Sequence, residues 1–164
     1  DIYATNAGWV QQAGTAASGN DNASADPEVL VALGMLAGAA DDTGLRAPTV
    51  TSMRFVQAAY AAGSRTITVE VTWDEAITVT GAPQLVVAND SRADHTLSYV
   101  GTGSTANRKR FTAASQTVVE DDVLTIGGAN VTLNGGTLKD QGATPADASL
   151  VLSGLTAVTS TVTA

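Results

Sequence analysis

Between Thr66 and Trp73 the chain alternates without a fault. Ile67, Val69, Val71 and Trp73 hold one parity, and Thr66, Thr68, Glu70 and Thr72 hold the other. Side chains of an extended strand point alternately to its two faces, so this period of two gathers four large apolar groups on one side and hydroxyls with a carboxylate on the other. A helix would scatter the same residues around its circumference. The stretch therefore commits this part of the chain to a half-buried β-strand. After the Asp74-Glu75 corner the pattern resumes at Ile77 and Val79, is broken by Gly81-Ala82-Pro83, and restarts at Leu85 and Val87, which predicts a meander of short strands.

Composition agrees with a mainly β body. Only 15% of residues are charged, and abundant Ala, Gly and Thr suit tight turns and short strands better than long solvated helices. At 164 residues the chain accommodates one domain plus an extension. It has no cysteine and one histidine, His95, which removes disulfides and thiolate metal sites and leaves little for a zinc centre or a serine-type triad. No catalytic residue, metal ligand set or cofactor is assigned, and an enzyme is not expected. Eight basic against sixteen acidic residues give a formal charge of −8. That argues against a nucleic-acid grip, which needs cations to replace counterions along phosphates. No apolar run reaches the roughly 18 residues that a membrane-spanning helix needs, and the opening DIYATNAGWV lacks the basic start and apolar middle of a signal peptide.

Residues 1–47 read as an N-terminal arm followed by a helix. The first 25 or so are small and polar, with Tyr3 and Trp9 the only large side chains; such a segment builds no core of its own. Ile2, Tyr3, Trp9 and Val10 are its expected anchors on a neighbouring surface. Asp26-Pro27-Glu28 then carries the marks of a helix start, a capping carboxylate, a proline at the first turn and a second acid at the positive end of the dipole. The helix is expected over residues 27–40, with Val29, Leu30, Leu33, Leu36 and Ala37 in a stripe that must pack on something, either the β-body of the same chain or another subunit.

The body is expected over residues 48–158 and a threonine-rich tail over 159–164. Residues 49–56 read as its first strand, 58–64 as a loop, 93–100 as a strand with His95 at a partly buried or edge position, and 149–158 as the last strand. Asn134-Gly135-Gly136 is a strong turn signal, because Asn and Gly tolerate positive φ. Arg108, Lys109 and Arg110 place three of the eight cations side by side, either as a solvated edge strand or as a salt-bridging interface with an acidic neighbour. Glu120-Asp121-Asp122 could pair with them or face water; with Asp140 these acids are the candidates for a calcium site, although their spacing matches no calcium loop.

In this order of segments, residues 48–157 resemble the bacterial and phage immunoglobulin-like repeats of the swimming-motility and flagellar-associated surface type. VEVTWDEAITVTGAPQLVV stands where those repeats carry alternating valines, an aromatic, an acid, and a Gly-x-Pro-x-Leu segment, with Trp73, Glu75, Gly81, Pro83 and Leu85 in register. Residues 97–104, LSYVGTGS, resemble the repeat's Tyr-x-Gly-Ser-Gly turn, and residues 133–140, LNGGTLKD, its late segment. Where the family has an alternating Leu/Phe/Tyr strand, this chain has Asn107-Arg108-Lys109-Arg110-Phe111, which points to a strand rebuilt for a contact. The resemblance implies an Ig-like β-sandwich of about seven to nine strands, without enzymatic activity, of the kind found in large surface proteins and in virion proteins of tailed phages.

A single copy attached to an arm favours an accessory virion protein: a capsid decoration or cement protein on the virion surface, displaying its Ig-like body and bound to the major capsid protein or a tail component, with homo-oligomers expected. The expected interface residues are Tyr3, Trp9, Val10, Val29, Leu33, Leu36, Arg108, Lys109 and Arg110. The alternative is a spacer or subunit of a bacterial extracellular adhesin or filament at the cell surface. A weak cell-surface glycan contact stays open; nucleic acid and membrane are not expected partners.

Overall fold

The computed structural model describes residues 2–5, 8–15, 22–32, 47–142 and 144–164. Within them the chain is built from strands, with no helix. Strands β1 (Ile2–Thr5), β2 (Gly8–Gln11) and β3 (Glu28–Ala32) form an antiparallel three-stranded sheet in that order. The body follows with β4 (Val50–Phe55), β5 (Tyr60–Ala61), β6 (Gly63–Trp73), β7 (Ile77–Thr80), β8 (Gln84–Asn89), β9 (His95–Val100), β10 (Arg108–Val118), β11 (Val123–Ile126), β12 (Thr137–Asp140) and β13 (Val158–Thr163). Eight of these run in one sheet, ordered β4-β6-β10-β9-β8-β11-β13-β5, and β12 pairs with β7 in a two-stranded sheet.

Alternation along β6 does what its period dictates. Ile67, Val69, Val71 and Trp73 are fully buried, together with Leu85, Val87, Leu97, Phe111, Leu124, Ile126 and Leu152, in one core. The long sheet curls around that core until its ends approach each other. Thr68 of β6 donates its N–H to the Tyr60 hydroxyl of β5 at 3.4 Å, and Met53 of β4 lies against Gly127, just beyond β11. Gly127 has φ 102, a conformation that favours glycine, and the Met53 methyl occupies the space a Cβ there would take. Ile77 and Leu138, from the β7–β12 pair, join the same core. The Asn134-Gly135 turn forms as expected, with φ values of 45 and 77 and the Gly136 N–H bonded to Leu133 O at 2.7 Å.

Four expectations change, the first being that residues 149–157, expected as the last strand, form no strand and the last strand begins only at Val158. The helix expected over residues 27–40 is absent where the chain is described: Glu28–Ala32 is a strand, paired with Gly8–Gln11, and residues 33–40 lie outside the described residues. Val29 and Val31 are β-branched and favour the pleated backbone, and an apolar run of this kind does not by itself tell helix from strand. Residues 159–164 are not a tail, because Val158–Thr163 is the seventh strand in the order of the long sheet, antiparallel to β11 and parallel to β5. Ser160 and Val162 are buried in it. Residues 58–64 are not simply a loop either, since Tyr60 is fully buried on β5.

Trp73 ties distant segments to the end of β6. Its Nε1–H donates to Ser149 O at 2.9 Å, its backbone N–H donates to Asn107 O at 2.8 Å, and its carbonyl accepts from Asn107 Nδ2 at 2.9 Å. Trp73→Phe keeps most of the ring in place and leaves the Ser149 carbonyl without its donor, so it should cost about 1–3 kcal/mol. Urea unfolding of the two proteins checks this: the expected result is a lower midpoint at unchanged slope, and an unchanged midpoint would mean that the indole N–H contributes nothing.

Candidate interaction surface

The N-terminal sheet has one face on the body and one turned away. Residues opposite each other in a ladder share a face, so the pairs Tyr3↔Val10 and Ala4↔Trp9, then Trp9↔Val31 and Val10↔Val29, define both sides. Tyr3 and Val10 are buried against Ala76 and Ala106 of the body. Trp9 and Val31 stand on the other side and are 41% and 56% exposed; Ile2 and Leu30, the latter at the bulge in β3, are also exposed. Val29 shares the side of Val10 but sits on the outer strand and is exposed as well. Of the anchors read from the sequence, Tyr3 and Val10 thus hold the arm to its own body, whereas Trp9 and Val29 stay free for another surface. Leu33 and Leu36 lie outside the described residues. A contiguous apolar patch on a solvent-facing sheet is the usual mark of a contact surface.

The backbone joint beneath this sheet lies at the corner after β6. The Ala4 N–H donates to Asp74 O at 2.9 Å, and Ala4 bridges Glu75 in parallel fashion. Three acids converge here. Asp74 accepts the Thr49 N–H at 2.7 Å, and Asp140 accepts the N–H groups of Gly142 and Ala146 at 3.1 and 3.0 Å. The Glu75 carboxylate has no hydrogen bond or ion pair among the described residues. Burial, and after it the charges of Asp74 and Asp140, push its pKa up from 4.5 to about 7.

The three adjacent cations separate by strand parity. Lys109 shares the inward parity of Phe111 and is buried; its Nζ donates to Thr105 O at 2.7 Å and Ala106 O at 2.9 Å, and burial pulls its pKa down to about 8. It serves as a cap for turn carbonyls, not as an interface group. Arg108 and Arg110 face outward with Arg54 around Glu70, a buried carboxylate. Sequence reading gave Glu70 and Glu75 only a place in a pattern and did not single out Arg54; what Glu70 and Arg54 meet follows from the cross-strand register, and what Glu75 meets from the corner after β6.

At the far end of the body, Asp122 accepts from Val119 N–H, Asn89 Nδ2 and Ser91 Oγ, which together with Arg92 hold its pKa below the usual carboxylate value. His95 is buried in the same region, its Nδ1 2.9 Å from Gln116 Oε1 and its Nε2 3.4 Å from Asn89 Nδ2. Because Gln116 Nε2 is engaged by Ala114 O, Oε1 faces the ring and Nδ1 is the donor. The calcium candidates are not brought together: Asp140 lies by the N-terminal joint and Asp122 in this network. Among the described residues no three His, Asp or Glu side chains are placed to hold a metal ion, and no helix is long and apolar enough to cross a membrane. An open trough of about 450 Å³ runs along β7 and β12, lined by Thr78, Thr80, Thr137 and Lys139 among others, with no aromatic side chain in its wall.

Comparison with protein-family models, with curated proteins and with solved structures finds no match. The surface is therefore interpreted from its own chemistry.

Glu75 should make the joint pH-dependent. A carboxyl whose pKa is raised in the folded state favours that state fully below its unfolded value of 4.5, and the advantage is lost as pH rises through about 7. Hydrogen exchange at the Ala4 amide, corrected for intrinsic rate, should accelerate between about pH 5 and about pH 8. Glu75→Gln should flatten the profile. An Ala4 amide equally protected across that range in the parent protein would contradict the assignment.

Proposed function

We propose that this chain is a non-catalytic structural subunit: an Ig-like β-sandwich displayed on the virion of a tailed phage, as a capsid decoration protein, and held to the major capsid protein or a tail component by its N-terminal sheet. The observation that carries the reading is the apolar outer side of that sheet, where Trp9 and Val31 lie opposite each other with Ile2 and Leu30 beside them. Its outer strand, β3, pairs only with β2 among the described residues, which sets a strand edge next to the apolar side chains. An edge strand supplies main-chain hydrogen bonds and an aromatic with β-branched neighbours supplies burial, the two ingredients of strand-addition binding. The curled sheet with β7–β12 over a single core supports the sandwich, and the Trp73, Glu75, Gly81 and Pro83 pattern supports its Ig-like type.

The mechanism is attachment by burial. Each contact on its own is weak, and repetition over a lattice makes the array firm, because every neighbour after the first is met at high effective concentration. Tyr3 and Val10 orient the sheet on its own body, so that the body is carried outward at a defined angle rather than on a loose tether.

Deleting residues 1–45 should leave a soluble folded body that no longer incorporates into particles. Val31→Asp in the full chain should act in the same direction, with incorporation falling about tenfold or more while thermal stability is kept, since Val31 is exposed. Copurification with assembled particles, read by gel and electron microscopy, checks both. Incorporation that survives the deletion, or attachment to a cell-surface fibre instead of a particle, would overturn the reading.

A further inference from the structure

Asn134-Gly135 is the chain's only Asn-Gly pair, and it sits at the tip of the turn that leads into β12, with both residues exposed. Their φ values of 45 and 77 are those of a tight two-residue turn, closed by the Gly136 N–H on Leu133 O. The Gly135 N–H has no acceptor among the described residues. Chain neighbours apart, no atom lies within 4 Å of the place where a side chain on Gly135 would begin.

A carboxamide followed by such a glycine is open to attack from its own backbone. The Gly135 nitrogen gives its proton to solvent hydroxide and bonds to Asn134 Cγ; the carboxamide nitrogen takes up a proton and leaves as ammonia, and a five-membered imide closes. Water then opens the ring at either carbonyl. One product is aspartate in the normal chain, and the other is aspartate linked through its side-chain carbonyl, which lengthens the backbone by a methylene. Nothing is oxidised or reduced. Closing the ring requires Asn134 to leave its turn conformation, so the reaction runs through local opening of an exposed loop tip. A bulky following residue or an engaged N–H would oppose that step, and this turn has neither.

The side chain that reacts also holds two turns together. Asn134 Nδ2 donates to Ala82 O at 3.2 Å, and the segments 81–83 and 133–136 lie backbone to backbone, since a Cβ on Gly81 would stand 2.8 Å from Gly136 Cα. Beside them Gln84 and Thr132 exchange N–H···O bonds at 2.8 and 2.9 Å. An aspartate carboxylate has no donor to offer Ala82 O. The side-chain-linked form in addition stretches a turn whose register sets Thr137 opposite Thr80.

We propose that Asn134 is a site of spontaneous deamidation, and that its conversion unlocks the 133–136 turn from the 81–83 segment where β7 passes into β8.

Incubation of the full chain over days, at neutral and at mildly alkaline pH, followed by intact-mass and peptide analysis, tests it. Asn134 should account for most of the converted amide, both aspartate linkages should be recovered, and the rate should rise with hydroxide concentration. Asn134→Asp, which keeps a residue that tolerates positive φ, should show no mass change under the same incubation. In hydrogen exchange the Gly136 and Thr132 amides of the converted chain should lose protection relative to fresh protein, with β6 and β10 unaltered. An Asn134 that stays intact in the folded chain, whether or not the urea-unfolded chain converts there, overturns the proposal, as does ammonia loss that persists undiminished in Asn134→Asp. Conversion with Gly136 and Thr132 equally protected overturns the unlocking.

Discussion

The corner that follows β6 depends on one interaction, the clamp of Asn107 and Ser149 on Trp73. The indole N–H reaches a carbonyl 76 positions away, and Asn107 takes both backbone groups of the same residue. These bonds fix where β6 stops and where the chain enters β10. The next residue, Asp74, then offers its side chain to Thr49 at the entry to β4 and its carbonyl to Ala4 of the N-terminal sheet. An aromatic buried without its polar partner would be a large apolar weight with no direction; here the polar partners give it orientation. The position of the N-terminal sheet is inherited from that clamp through the next residue, Asp74, whose carbonyl accepts from Ala4.

Charges are handled in three different ways in this β-body. Lys109 is buried with carbonyls as its only described partners, and burial alone pulls its pKa down. Glu70 is as deeply buried but ionised, because desolvation, the largest single influence, is outweighed by the arginines around it. Glu75 is the third case, with burial reinforced by like charges and no cation to oppose it. A pair of well-packed apolar residues would stabilise such positions more simply than ion pairs do. Their presence on the outer sheet face and at the joint is what separates these two places from the rest of the body.

The strands whose pattern is period two over an uninterrupted run were legible from the sequence, with β6, β8 and β9 the clearest, because there the local pleat and the burial of one face agree. Asn134-Gly135 was legible for a similar reason, as a backbone demand that few residues meet. What was not legible depended on partners far along the chain. Val29 and Val31 became a strand only because β2 offered an edge, against the helix-start chemistry of Asp26-Pro27-Glu28. Val158–Thr163 looked like a tail because threonines bury little, yet Ser160 and Val162 alternate into the body. Arg108, Lys109 and Arg110 looked like one charged group; parity splits them, and the role of the arginines follows from Glu70, 40 positions away. Trp9 could be singled out from the sequence as a large side chain in a small-residue arm and Val29 as part of an apolar stripe, and both are exposed, but the inward turn of Tyr3 and Val10 could not be read there.

The parallel pair of β5 and β13 has a consequence for how the molecule forms. Thr163 reaches the Tyr60 carbonyl across 103 positions of chain, and β13 also completes the ladder of β11. Closing so long a loop costs entropy before any contact repays it, which makes topologies of this kind slow to fold. During synthesis β5 and the outer edge of β11 wait, unpaired, until β13 has left the ribosome. Until that moment the long sheet has open edges that a chaperone or a neighbouring nascent chain can reach.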